Sequence, residues 1–141
     1  TAARMTGVSV HTLRMYEREG LIIPVKSPGN QRLYSQSDIE RIQCIRAAIT
    51  EAKISIAGIK HIQAMIPCWQ IINCPAEQRN ACEAYKNSSA GCWTYKHKKN
   101  VCSKIECRQC VVYQKASNCS GVKELMKSVT SARMVLASSK R

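Results

Sequence analysis

Residues 9–24, SVHTLRMYEREGLIIP, and residues 29–45, GNQRLYSQSDIERIQCI, carry the reading on which the rest of the chain depends. Ser9 suits an N-cap. Val10 and Leu13, followed by Tyr16 or Glu17, recur at helical spacing until Gly20 offers a C-terminal stop. That helix leaves His11, Thr12, Arg14 and Arg18 on its other faces. The segment IIPVKSPGNQRLYS then reads as two short extended pieces around a Pro28-Gly29-Asn30 turn, which suits a hairpin or wing. Ser37-Asp38-Ile39-Glu40 fits a capping box opening a helix with Ile39, Ile42, Ile45 and Ile49 facing inward. Ser55 starts another, with Ile56, Ile59, Ile62 and Ile66 at helical spacing, and Pro67 ends it.

A helix, a glycine turn, a wing and two further helices make a winged helix-turn-helix layout, and the predicted fold class is mainly α. At the two quoted stretches the chain strongly resembles the MerR family of transcription regulators. The resemblance covers about 65 residues, nearly half of the 141. It implies a homodimer that binds near-palindromic double-stranded promoter DNA, with dimerisation through an antiparallel pair of C-terminal helices. It also implies an indirect action on RNA polymerase, in which an effector domain decides whether the promoter is distorted. The residue chemistry agrees. Exposed Arg14, Arg18, His11 and Thr12 supply the groups that contact base edges and phosphates in a major groove, while Arg32 and Tyr34 beside the turn suit a phosphate. Ser9, Tyr16 and Asn30 complete the candidate DNA-contacting set.

The net charge of +13 and a pI near 9.6 point to a polyanionic partner. The excess is spread along the chain: nine Lys and Arg against five acids in 1–66, eight against three in 67–121, and five against one in 122–141. With no Phe and 5% aromatics, no single large core is expected. No apolar run approaches the ~20 residues of a membrane span, and no secretory signal is visible, so a cytoplasmic protein is expected. The chain starts at Thr1 inside a pattern already under way, and its first turns are expected to be missing. No nucleophile–base pair or phosphate-binding glycine loop argues for an enzyme.

Three regions separate by composition: 1–66, the DNA-binding domain; 67–121, a cysteine-rich effector module stabilised by metal or a cluster; and 122–141, a C-terminal helix. In the last, Val122, Leu125, Val129, Ala132 and Leu136 step by 3, 4, 3 and 4, an a/d seam for a dimer contact or for packing on its own domain. Seven of the nine cysteines fall within residues 68–110, and the odd total argues against a purely disulfide-bonded module. Cys68-Trp69, Cys74 and Cys82-x-x-Tyr85 form one unit. Cys92-Trp93, Cys102, Cys107 and Cys110-x-x-Tyr113 form a second, looser copy.

An iron–sulfur cluster accepts thiolates scattered along loops and is the first reading of these cysteines. Zinc, which prefers paired Cys-x-x-Cys knuckles, is the second, because only Cys107-Arg108-Gln109-Cys110 provides one. Disulfides or free thiols with no cofactor are the third. The first tetrad is Cys92, Cys102, Cys107 and Cys110; Cys68, Cys74, Cys82 and Cys119 are the remaining candidates. Cys44 reads as a small apolar filler on its helix, and His97, in KHKKN, as part of a solvated basic loop. The expected function is a dimeric promoter-binding regulator sensing redox or metal state through this module. The alternative is a DNA-binding protein whose module is a structural zinc or disulfide staple.

Overall fold

The computed structural model describes residues 2–116 together with 123, 124 and 127. The seam at 122–136 and Cys119 fall outside the described residues, apart from the backbone at those three positions. The first half contains α1 (Ala2–Thr6), α2 (Val10–Arg18), β1 (Val25–Lys26), β2 (Arg32–Leu33), α3 (Gln36–Thr50) and α4 (Ile56–Ala64). Strands β1 and β2 pair antiparallel with Val25 opposite Leu33. Asn30, at φ 63°, turns the hairpin, a left-handed conformation that Asn tolerates better than most residues. This is the expected winged helix-turn-helix order.

Local chemistry sets the helix ends. The Ser9 hydroxyl accepts from Thr12 N at 3.1 Å, as expected of an N-cap. Gly20, at φ 75°, ends the turn after α2, where its N–H reaches Glu17 O and Leu21 N–H reaches Tyr16 O. The capping box on α3 is real but begins two residues earlier than the sequence suggested. Ser35, not Ser37, is the N-cap, and its partner is Asp38, whose Oδ2 accepts from Ser35 N at 2.8 Å. Ser55 caps α4 as expected, but that helix stops at Ala64 and Ile66 lies beyond it.

Leu13, Tyr16, Leu21, Ile22, Ile39, Ile42, Ile45 and Ile59 form the first core. Two positions assigned inward by periodicity are open: Val10 is 56% exposed and Ile62 44%. Tyr16, 3% exposed, belongs to this core rather than to a DNA-contacting surface, and burial raises its phenol above the ordinary value.

The second half is a string of short elements: α5 (Cys68–Ile71), α6 (Ala76–Arg79), α7 (Glu83–Lys86), 3-10 turns at Cys92–Thr94, Val101–Lys104 and Cys107–Gln109, and α8 (Val111–Lys115). Its core is Ile66, Trp93, Val112, Tyr113 and Ala116, with Cys68, Cys92, Cys107 and Cys110 packed against it. The two Cys-Trp units share an internal device. Trp69 meets Tyr85 edge to face at 5.0 Å, and Trp93 meets Tyr113 in the same way at 5.3 Å. No described helix is long and apolar enough to cross a membrane.

Arg41 joins the two cores. It sits on α3, 1% exposed, with Nε donating to Leu21 O and Nη1 to Tyr113 O, both at 2.8 Å. The guanidinium carbon stands 3.9 Å from the Tyr113 ring centroid and 4.8 Å from that of Trp93. Burial lowers its pKa to about 10, so it remains a cation at neutral pH. Desolvating such a charge costs several kcal/mol. Two charge-assisted hydrogen bonds of about 1.5–3 kcal/mol each and ring contacts worth roughly 2 kcal/mol offset that cost. Arg41→Ala should therefore lower unfolding stability by about 3–5 kcal/mol in urea titrations. Arg41→Lys should recover less than half of the loss, because an ammonium cannot serve both carbonyls and lie flat on both rings.

Candidate functional site

Two surfaces hold the candidate residues. The first is the outer face of α2 and the wing. His11, Arg14 and Arg18 are exposed there and Thr12 is half-buried. Arg14, Asn30, Arg32 and Tyr34 line one open cleft between α1, α2 and the hairpin. Not all of them are free. Ser9 and Thr12 hydroxyls bond one another at 2.9 Å, and the Ser9 oxygen also caps α2. Arg32 Nε donates to Glu17 Oε2 at 2.6 Å, so the arginine fastens the wing to α2 and presents only part of its charge outward. Tyr34 packs against the first core.

The second surface is a small apolar cavity of about 10 Å³, close to the room one water needs. Cys92, Cys102, Cys107 and Cys110 all line it, together with Trp93, Tyr113 and His97. These are the four cysteines that the sequence grouped first. The 3-10 turns at Cys92–Thr94, Val101–Lys104 and Cys107–Gln109 each deliver one thiol, and the residue after the last turn, Cys110, delivers the fourth. Cys68, from the first unit, lies beside Cys92 closely enough for the two thiols to shift one another's pKa, so the leading cysteines of the two units meet. Cys74 is buried near Cys82, and its Sγ lies 3.8 Å from Pro75 O.

The cysteines at 68, 74, 82, 92, 102, 107 and 110 are free thiols. Cys44 is disulfide-bonded, which corrects its reading as a plain apolar filler. Their chemistry is that of a crowded, desolvated set. The neighbouring Cys92 thiol lowers the Cys68 pKa despite burial. Cys92 is itself raised, by Cys68 first and by burial second. Burial pushes Cys102 up to about 12, with neighbouring thiols adding to the shift. Burial also raises Cys107 and Cys74. Each thiolate formed here opposes the next, so holding several at once requires a cation in their midst. Among the described residues, no three His, Cys, Asp or Glu side chains are set so that they could hold a metal ion. The soft donor set suits a thiophilic metal or cluster, and ligation requires side-chain rotation within the cavity.

His97 is one of the residues that sequence reasoning missed. Far from being a solvated loop residue, it is half-buried. Its Nε2 lies 2.9 Å from Cys92 O, an acceptor only, so Nε2 carries the proton. Its Nδ1 lies 3.8 Å from Cys82 Sγ and 3.5 Å from Asn100 Nδ2. Its basic neighbours disguised it, and its position five residues after Cys92 was the sole hint.

The cavity is tied to the first half at the turn between α2 and the wing. Trp93 Nε1 donates to Gly20 O at 2.7 Å, and Ile23 N donates to the Tyr113 hydroxyl at 2.8 Å. Arg108, between Cys107 and Cys110, donates to Ile23 O and makes a two-pronged pair with Asp38 at 3.1 and 3.0 Å.

Residues 1–66 match the family described as MerR HTH family regulatory protein. Over 61 residues the chain is 39% identical to the heat shock protein HspR of Streptomyces coelicolor, a stretch that is 43% of this chain and 40% of that protein. It is 31% identical over 61 residues to the HTH-type transcriptional regulator GlnR of Bacillus cereus, covering 43% and 46%. Similarity to the mercuric resistance operon regulatory protein of Pseudomonas fluorescens is 38% over 47 residues, 33% of each chain. The chain thus spans less than half the length of these curated relatives. No solved structure gives a significant match.

The thiol chemistry yields a direct expectation for metal-free protein. Thiolates are the alkylated species, so at about pH 8 iodoacetamide should label Cys68 roughly tenfold faster than Cys92 or Cys102. Cys92→Ala removes the neighbouring thiol and should move Cys68 labelling to higher pH, read by peptide mass spectrometry across a pH series.

Proposed function

Since residues 1–66 of this chain belong to the MerR helix-turn-helix family, we propose that the whole protein is a dimeric DNA-binding transcription regulator. In this reading its cysteine module senses metal or redox state through a thiolate-ligated centre. The observation that carries the reading is the convergence of Cys92, Cys102, Cys107 and Cys110 on one cavity, two residues of which also reach the turn between α2 and the wing. DNA is the partner that the family and the net charge of +13 both favour. The family resemblance supports dimerisation and an indirect effect on RNA polymerase as part of this reading, with the 122–136 seam as the segment that sequence pattern offers for the dimer contact.

The residues that would hold the centre are those four thiols, with Cys68, Cys74 and Cys82 from the first unit close by. An iron–sulfur cluster bound there would supply oxidant-sensitive electron exchange, and a zinc ion would supply a fixed tetrahedral crosslink. The protein's own part is to bury the thiols, keep water out with Trp93 and Tyr113, and transmit their arrangement to the wing. A single zinc ion, serving as a structural staple, is the second reading; the small size of the cavity favours it.

Protein purified without oxygen should contain stoichiometric iron and sulfide, with visible charge-transfer absorption. Zinc without colour supports the second reading, and neither metal, with DNA binding indifferent to oxidants and chelators, removes the sensor. On the DNA side, Arg14→Ala should weaken binding to a short random-sequence duplex and reduce the slope of log affinity against log salt by about 1. Lys86→Ala, on α7, should leave that slope unchanged. Tyr16→Ala should instead destabilise the fold, as expected of a core residue, measured by thermal melting.

A further inference from the structure

The Arg108 guanidinium lies across the root of the wing. Ile23, whose carbonyl it holds, is two residues before β1, and Asp38, which it grips with both Nη atoms, is five residues after β2. One side chain therefore joins both ends of the hairpin. The clamp is sheltered: the Arg108 side chain is 18% exposed and that of Asp38 5%, so the pair is weakly screened by solvent. Asp38 Oδ2 also accepts from Ser35 N, which ties the same carboxylate to the first turn of α3.

The other end of Arg108 is fixed by the thiols. It sits in the single 3-10 turn Cys107–Gln109, flanked by two of the sulfurs lining the cavity. Cys107 and Cys110 bracket Arg108 within two residues on either side, so the backbone that carries this guanidinium is the backbone that carries both thiols. The neighbouring contacts reinforce the route. Gly20 O is held by Trp93 and the Ile23 amide by Tyr113, both of which line the same cavity.

We propose that Arg108 is a positioning residue: it transmits the ligation state of Cys107 and Cys110 to the wing by moving the Ile23 and Asp38 anchors together. The proposal rests on the thiolate centre described above and names how that centre acts on DNA-binding geometry. Metal entry displaces thiol protons to solvent as the sulfurs ligate, with no change in oxidation state.

The test uses the full chain, anaerobic and metal-free, titrated with cobalt(II) alone. Thiolate-to-cobalt charge-transfer absorption reports ligation, and amide hydrogen exchange across residues 21–35 reports the wing. In the unaltered protein cobalt should change wing exchange by about threefold or more. In Arg108→Gln the absorption should persist while that cobalt-dependent change is lost, and Arg108→Lys should restore only part of it. Asp38→Asn breaks the same clamp without touching the thiol segment, and it should behave like Arg108→Gln. A cobalt response of full size in both Arg108→Gln and Asp38→Asn overturns the proposal, even if basal exchange is altered, because that result assigns the pair a structural role alone. Absence of thiolate absorption in the unaltered protein overturns the centre itself, and the coupling with it.

Discussion

A guanidinium that has no carboxylate partner among the described residues lies at the meeting point of the two halves of the molecule. Arg41 comes from α3 of the DNA-binding domain, yet half of its satisfaction comes from the cysteine module, through the Tyr113 carbonyl and two aromatic faces. Among the described residues its second Nη has no hydrogen-bond partner. A buried cation is tolerated only where nearly every alternative to water is supplied. Neither half supplies this alone: Leu21 O is the contribution of the first and Tyr113 of the second. The docking of the module therefore completes the environment of a core residue in the DNA reader.

That dependence shapes the segment between α2 and the wing. Residues 20–23 offer three carbonyls and one amide that bond to Trp93, Arg41, Arg108 and the Tyr113 hydroxyl. Loops normally satisfy their backbone from within or from water. Here three of the four partners, Trp93, Arg108 and Tyr113, come from the cysteine module, so the segment between α2 and the wing owes most of these backbone bonds to a second core.

The DNA-binding half was legible from sequence because its signals are local. Caps, the glycine stop at Gly20 and the Asn30 turn act within a few residues, and the family likeness covers the same span. The errors there have plain causes. Ser35 and Ser37 both offer a hydroxyl, and the cap went to the one three residues before Asp38. Tyr16 has a polar tip and a helical position compatible with either face, and packing decided for the core. The pairing of Cys-Trp units was legible as a repeat, and the edge-to-face Trp–Tyr contacts give it physical content. Arg41, Arg108 and His97 were not legible. Each owes its role to partners from 5 to 85 positions away, and the short-range pattern around each reads as ordinary surface.

Gly20 carries one more implication. A Cβ there would come within 2.5 Å of the Thr94 methyl, and the residue's φ of 75° already disfavours any side chain. The same atom position is thus claimed twice, once by the end of α2 and once by the neighbouring module. Spliced behind another regulator's DNA reader, residues 67–116 would lack their seat unless Gly20, Ile23, Asp38 and Arg41 travelled with them. The module looks like a cassette in the linear sequence but is not an interchangeable part, because its seat is built from residues of the first half.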